Sequence, residues 1–175
     1  MQSSSKLPSL TALFFIFFII TSTTFAAKKD IETKTFSARF DEEILELKQK
    51  NDQTAVLSAK GLSLILSMPE TKGLLNKSHI EKMAKTAHAK IPSELERSNA
   101  IDVACSIKAV DSIGDFSGYV VKTELNQYGV TMTNHLYILS NGEKVFTVSA
   151  AIEVADESDK NFTQVELFIN SLKIK

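Results

Sequence analysis

The chain has 175 residues, 43% of them hydrophobic, with 20 basic and 21 acidic side chains. That near-neutral balance excludes the concentrated basic footprint of a nucleic-acid binder or of a polybasic membrane-surface protein. A single cysteine, Cys105, excludes an internal disulfide, so stability has to come from an apolar core.

The N-terminus reads "MQSSSKLPSLTALFFIFFIITSTTFAA": one basic residue (Lys6), an uncharged apolar block from Leu10 to Ile20, then small residues. The block is about 11 residues, short of the ~20 that span a bilayer as a helix. Thr24-Phe25-Ala26 places small residues where signal peptidase reads, so residues 1–26 are expected to be a signal peptide cleaved after Ala26. The alternative is an uncleaved N-terminal membrane anchor. Removing 26 of the 175 residues leaves 149, and Lys6 is the only charged side chain lost, so the net charge goes from −1 to −2. That length fits one domain, residues 27–175, exported to the periplasm or secreted, with no membrane span after cleavage.

"AAKKDIETK" is expected to be a frayed start. Short stretches of strand character follow at Thr35–Phe40, Ile44–Gln49, Thr54–Ala59 and Leu62–Met68, the later ones separated by Asn51-Asp52 and Gly61. The second stretch, within "DEEILELKQK", is equally compatible with a helical start.

"NKSHIEKMAKTAHAKIP" is the clearest helix. Ser78 and Glu81 have capping-box spacing, Ile80, Met83, Ala84, Ala87 and Ile91 make one apolar stripe, and Pro92 should end it. Lys82, Lys85 and Lys90 on the other side should face water.

From Asp102 the chain reads as strands Asp102–Val110, Phe116–Leu125, Val130–Leu139 and Lys144–Val154. The short links predict antiparallel neighbours. Val103, Cys105, Ile107 and Ala109 alternate with Asp102, Ala104, Ser106 and Lys108, which gives Cys105 the place of a small hydrophobe on a buried strand face. A last helix, capped by Ser158 or Asp159, should turn Phe162, Val165, Phe168, Ile169 and Leu172 inward, before a short closing strand or tail. Grouped strands with two separate helices give an α+β class: an antiparallel sheet of about five to seven strands with helices packed on it.

"YILSNGEKVF" (137–146) is a hairpin whose loop length sets which faces bury. A two-residue Asn-Gly loop puts Tyr137 opposite Phe146 and mixes polar with apolar on both faces. A three-residue loop, Ser140-Asn141-Gly142 with Gly142 left-handed, gathers Val130, Met132, Leu136 and Ile138 with Phe146, Val148, Ala150 and Ile152. Since the hydrophobic set should choose the register, the three-residue loop is expected. The opposite face then collects Thr131, Thr133, His135, Tyr137, Thr147, Ser149 and Glu153, a candidate polar binding face or an acid/base site built on His135. Solvated strand hydroxyls explain the same pattern.

Metal chemistry is poorly supported. His79 and His88 lie about 180° apart on their helix, and the acidic clusters at 41–43 and 156–159 lack the spacing of a calcium loop. "GDFSG" departs from a nucleophile elbow. Asn76 and Asn161 head glycosylation-type triplets at helix starts, where caps are expected anyway. No cofactor is expected.

The stretch "YILSNGEKVFTVSAAIEVADESDKNFTQVELFINSLKIK" resembles the C-terminal half of the PsbP-like superfamily, which includes PsbP subunits of photosystem II, Ran-binding Mog proteins and DcrB-type envelope proteins. The points of likeness are the Asn141-Gly142 hairpin, the "VFTVSAAI" strand, the helix with Phe162, Val165 and Ile169, and the closing "SLKI". The resemblance implies a sheet sandwiched between helices (αβα) and a non-catalytic binding or adaptor role. It carries over no ligand residue, and the lipidation cysteine of DcrB-type lipoproteins is missing. The expectation is an exported, non-catalytic envelope domain with a protein partner. The alternative is an enzyme or small-ligand carrier using the face around His135.

Overall fold

A computed structural model describes residues 28–68, 77–154 and 158–175. The expected signal peptide and Asn76 lie outside them. Ten strands and two helices follow in chain order: β1 (Lys28–Glu32), β2 (Phe36–Asp41), β3 (Glu46–Lys50), β4 (Thr54–Ala59), β5 (Leu62–Ser67), α1 (Lys77–Arg97), β6 (Ala100–Ile113), β7 (Phe116–Gln127), β8 (Val130–Ser140), β9 (Val145–Glu153), α2 (Ser158–Ser171) and β10 (Lys173–Ile174). No described helix is long and apolar enough to cross a membrane.

Seven strands form one antiparallel sheet in the order β3-β4-β5-β9-β8-β7-β6, and β1-β2-β10 form a second. The expected α+β class holds, and the large sheet has seven strands, at the top of the expected five to seven; the second, three-stranded sheet was not expected. The frayed start is instead β1: Ile31 is fully buried and its strand pairs with β2 from Lys28↔Asp41 to Glu32↔Ser37. Glu42, Glu43 and Ile44 are neither strand nor helix but a turn leaving β2, closed by Leu45 N–H on Asp41 O at 2.8 Å.

Apolar side chains alternate along the strands, and both faces of the large sheet are used. On one face α1 lays Ile80 and Ala84, with Met83, Ala87 and Ile91, against Val121, Ile138 and Val145. Lys82, Lys85 and Lys90 are exposed, as the stripe requires. On the other face α2 presents Val165, Phe168 and Ile169, with Leu172 just past its end, to Leu57, Leu64, Leu66, Phe146, Val148 and the small sheet's Phe36 and Phe40.

Two helix boundaries differ from expectation. Pro92 does not end α1, which runs to Arg97. The following "SELER" restores good helix formers, and the Ser93 hydroxyl donates to the Lys90 carbonyl at 3.0 Å. Ser78 lies inside the helix rather than at its cap.

Candidate functional site

The hairpin at 137–146 decides where the candidate residues go. Its loop has four residues, 141–144, and Ser140 pairs with Val145, Leu139 with Phe146, Tyr137 with Val148 and His135 with Ala150. Gly142 is left-handed (φ 92°), as expected. The loop is longer because two side chains cap its own backbone. Asn141 Oδ1 accepts from the N–H groups of Glu143 (3.1 Å) and Lys144 (3.0 Å), and Ser140 Oγ accepts from Gly142 N–H (2.9 Å).

This register overturns the three-residue loop and divides the expected polar face. Thr131, Thr133, His135 and Tyr137 lie on the α2 side, sharing a face with Phe146, Val148, Ala150 and Ile152. Thr147, Ser149 and Glu153 lie on the α1 side, paired with Ile138, Leu136 and Met132. Gathering all the apolar residues presupposed one buried face, whereas helices cover both.

On the α2 side a polar cluster meets the edge of the apolar core. His135 Nδ1 is 3.4 Å from the Tyr137 hydroxyl, and its ring lies 4.8 Å, centroid to centroid, from Phe162 of α2. Across the ladder His135 faces Lys122 and Thr133 faces Glu124. Those two β7 side chains form an ion pair at 2.6 Å, and the Lys122 contact holds the Glu124 carboxyl below its usual range.

Burial, then the Lys122 charge, push the His135 imidazole down to about 4, against the opposing pull of Glu124. It is therefore neutral at neutral pH. Burial, with Glu166 second, raises Tyr137. His135 Nε2 and Thr133 Oγ1 are both buried without a hydrogen-bond partner. The arrangement offers one neutral imidazole and one hydroxyl beneath an aromatic roof.

On the α1 side, Thr147 and Ser149 extend a hydroxyl-rich area. Thr54–Ser67–Thr147 form one row across three strands, Val56–Ile65–Ser149 the next, and Ser58–Ser63–Ala151 the third. Sequence reasoning missed β4 and β5 as contributors, since β5 pairs with β9 from 80 residues away. Cys105 is half-buried beneath α1, its Sγ 3.4 Å from Thr123 Oγ1, and its carbonyl oxygen lies 3.3 Å from His88 Nε2. Asn161 is buried, donating through Nδ2 to the Lys60 carbonyl at 3.3 Å, so its triplet marks packing rather than a sugar site. Among the described residues no three His, Cys, Asp or Glu side chains converge as a metal site.

Beside α2 run two adjoining clefts of about 300 and 270 Å³ that share Arg39, Asn170 and Ser171. Phe40 and Phe168 form the floor of the first, with Leu167, 56% exposed, above it. Ser171 Oγ accepts from Arg39 N–H at 2.8 Å and lies 2.9 Å from Arg39 O, capping the β2 edge short of β10. Arg39 Nε donates to Asp30 Oδ1 at 2.9 Å, which raises the guanidinium further and fixes its place along the cleft.

No family model matches the chain, and no curated protein sequence does either. A crystal structure at 1.50 Å resolution of a protein from Bacteroides thetaiotaomicron VPI-5482 is similar, with a TM-score of 0.51 and 16% identity over 85% of this chain. At that identity the likeness concerns the fold alone. The chain spans about half, 48%, of that structure's own chain.

Proposed function

We propose that this protein is an exported, non-catalytic binding domain of the cell envelope that holds a protein partner in the groove beside α2. The observation that carries this reading is the pair of adjoining clefts sharing Arg39. An apolar floor of Phe40 and Phe168, an exposed Leu167 and a charged rim of Lys28, Arg39 and Asp41 match the core-and-rim composition of protein interfaces, where arginine is enriched. The PsbP-like resemblance of the C-terminal stretch and the signal peptide expected at residues 1–26 accord with such a role.

The test is site-specific photocrosslinking from position 167 in the envelope of the native host. One discrete crosslinked species is expected, weakened about tenfold or more by Arg39→Glu if that contact is worth 1.4 kcal/mol or more. No discrete product, or one indifferent to Arg39→Glu, would sink the reading.

A second reading, a small-ligand carrier at His135, is favoured by the unpartnered Thr133 Oγ1 and His135 Nε2. It requires α2 to lift Phe162 away, and His135→Ala would abolish uptake of the ligand while leaving the crosslink at 167 intact.

A further inference from the structure

Four of the large apolar side chains left exposed meet at one end of the seven-stranded sheet: Ile101 (61% exposed), Tyr128 (82%), Val130 (41%) and Val154 (54%). Ile101 pairs with Asn126, Asn126 with Thr131, and Val154 N–H donates to Thr131 O at 2.9 Å, so this is one row across the strand ends. Tyr128 and Gly129 form the turn that closes β7 on β8, above the Gln127↔Val130 pair. By ladder parity Ile101 and Thr131 lie on the α2 side and Val130 on the α1 side, with Tyr128 at the apex. The α2 groove lies elsewhere, since Asn170 packs against Gly114 at the far end of the β6–β7 hairpin.

Backbone strain is concentrated at the same end. Asn99, Asp102 and Tyr128 all have positive φ, at 63°, 54° and 54°. Asparagine and aspartate tolerate that region, but a bulky aromatic there is an outlier costing about 1–3 kcal/mol. A fold that merely needed a tight turn would be better served by Asn-Gly. Tyr128 is held at the apex against its backbone preference.

We propose that this apolar tip inserts into the surface of a zwitterionic lipid bilayer. Three observations select that occupant. The patch comprises about six residues, against the 20–30 per side of a stable protein interface, so a second copy would not be held. Ile101, Asn126, Tyr128, Val130, Thr131 and Val154 carry no charge, and the exposed carboxylates that flank them, Asp102 and Glu153, disfavour an anionic membrane. A surrounding apolar phase covers the apolar groups on both faces and at the apex at once. Tyrosine is the residue that settles at such a boundary, ring in the apolar zone and hydroxyl at the headgroups.

The chain contains no tryptophan, so Tyr128→Trp is a single-site reporter. In the full chain on phosphatidylcholine vesicles its emission should shift to the blue and be quenched by lipids brominated at shallow acyl positions. This reads position 128 itself, whatever the N-terminal apolar block does. Tyr128→Asn relieves the strained turn, so it should melt no lower than the parent. In a chain carrying a Val130→Trp reporter, Tyr128→Asn should lower the vesicle-dependent quenching by about tenfold, the effect of losing one buried aromatic. A tryptophan at 128 indifferent to vesicles, or quenching at 130 undiminished by Tyr128→Asn, overturns the proposal. A protein crosslinked through position 128 without any lipid response overturns it in favour of a protein partner.

Discussion

His135 is the residue whose chemistry depends most on where the fold puts it. Its imidazole is pushed down to about 4 by burial and by Lys122, so the folded state binds its proton later than the unfolded chain does. Between about pH 6.5 and 4 the unfolded state carries the extra proton, and stability rises with pH across that window. The contribution is fully present above 6.5, falls as the pH drops, and levels off below about 4. A shift of this size corresponds to roughly 3 kcal/mol, which partial exposure of the ring discounts to about 1–2 kcal/mol. Urea midpoints measured from pH 7 to 4 should therefore fall, and His135→Asn should remove most of that slope. A slope unchanged in the variant would mean that other groups carry it.

At the scale of elements, propensity and punctuation located the strands well, and the errors have specific causes. β4 and β6 to β9 were legible because their apolar alternation is bounded by short turns, and α1 and α2 because their stripes are clean. β1 was hidden because a single apolar residue, Ile31, anchors it, and pairing with β2 is not a local signal. The hairpin register failed for a different reason. Ile138 is buried and Leu136 half-buried under α1, while Leu139 and Phe146 are buried under α2, so segregating apolar from polar residues could not choose the parity. The candidate site inherited that error, which is why His135 and Ser149 proved to be on opposite faces.

Pro92 shows tertiary context overriding punctuation. Proline has no N–H to give the His88 carbonyl and crowds the preceding turn, yet α1 continues for five more residues to Arg97. Ile91 on the apolar stripe keeps that stretch against the sheet. Pro92→Ala restores the missing donor and should stabilise the protein by roughly 1–3 kcal/mol, the upper figure being the full helix-interior penalty of proline. A thermal midpoint that stayed level or dropped would show that the ring is needed where it packs.

For the molecule as a whole, α2 is the element on which the two sheets depend. Its residues share one core with Phe36 and Phe40 of the small sheet and with Leu64, Phe146 and Val148 of the large one. The N- and C-terminal parts of the chain are tied together there. β10 pairs with β2, Lys175 N–H donates to Thr35 O at 2.9 Å, and Ser171 caps Arg39. A β1-β2-β10 sheet of this size would not hold alone, because three short strands need a packed face. Phe168, 1% exposed, fills the junction. Phe168→Ala should cost about 3–5 kcal/mol, a large part of the 5–15 kcal/mol typical of a whole domain. Since both sheets and α2 share that core, the loss should leave one cooperative transition at a lower midpoint. Tyrosine emission, whose three reporters all sit on the large sheet or its turn, should still coincide with far-ultraviolet dichroism. Two separated transitions in the variant would instead show the small sheet and α2 coming away while the seven-stranded sheet persists.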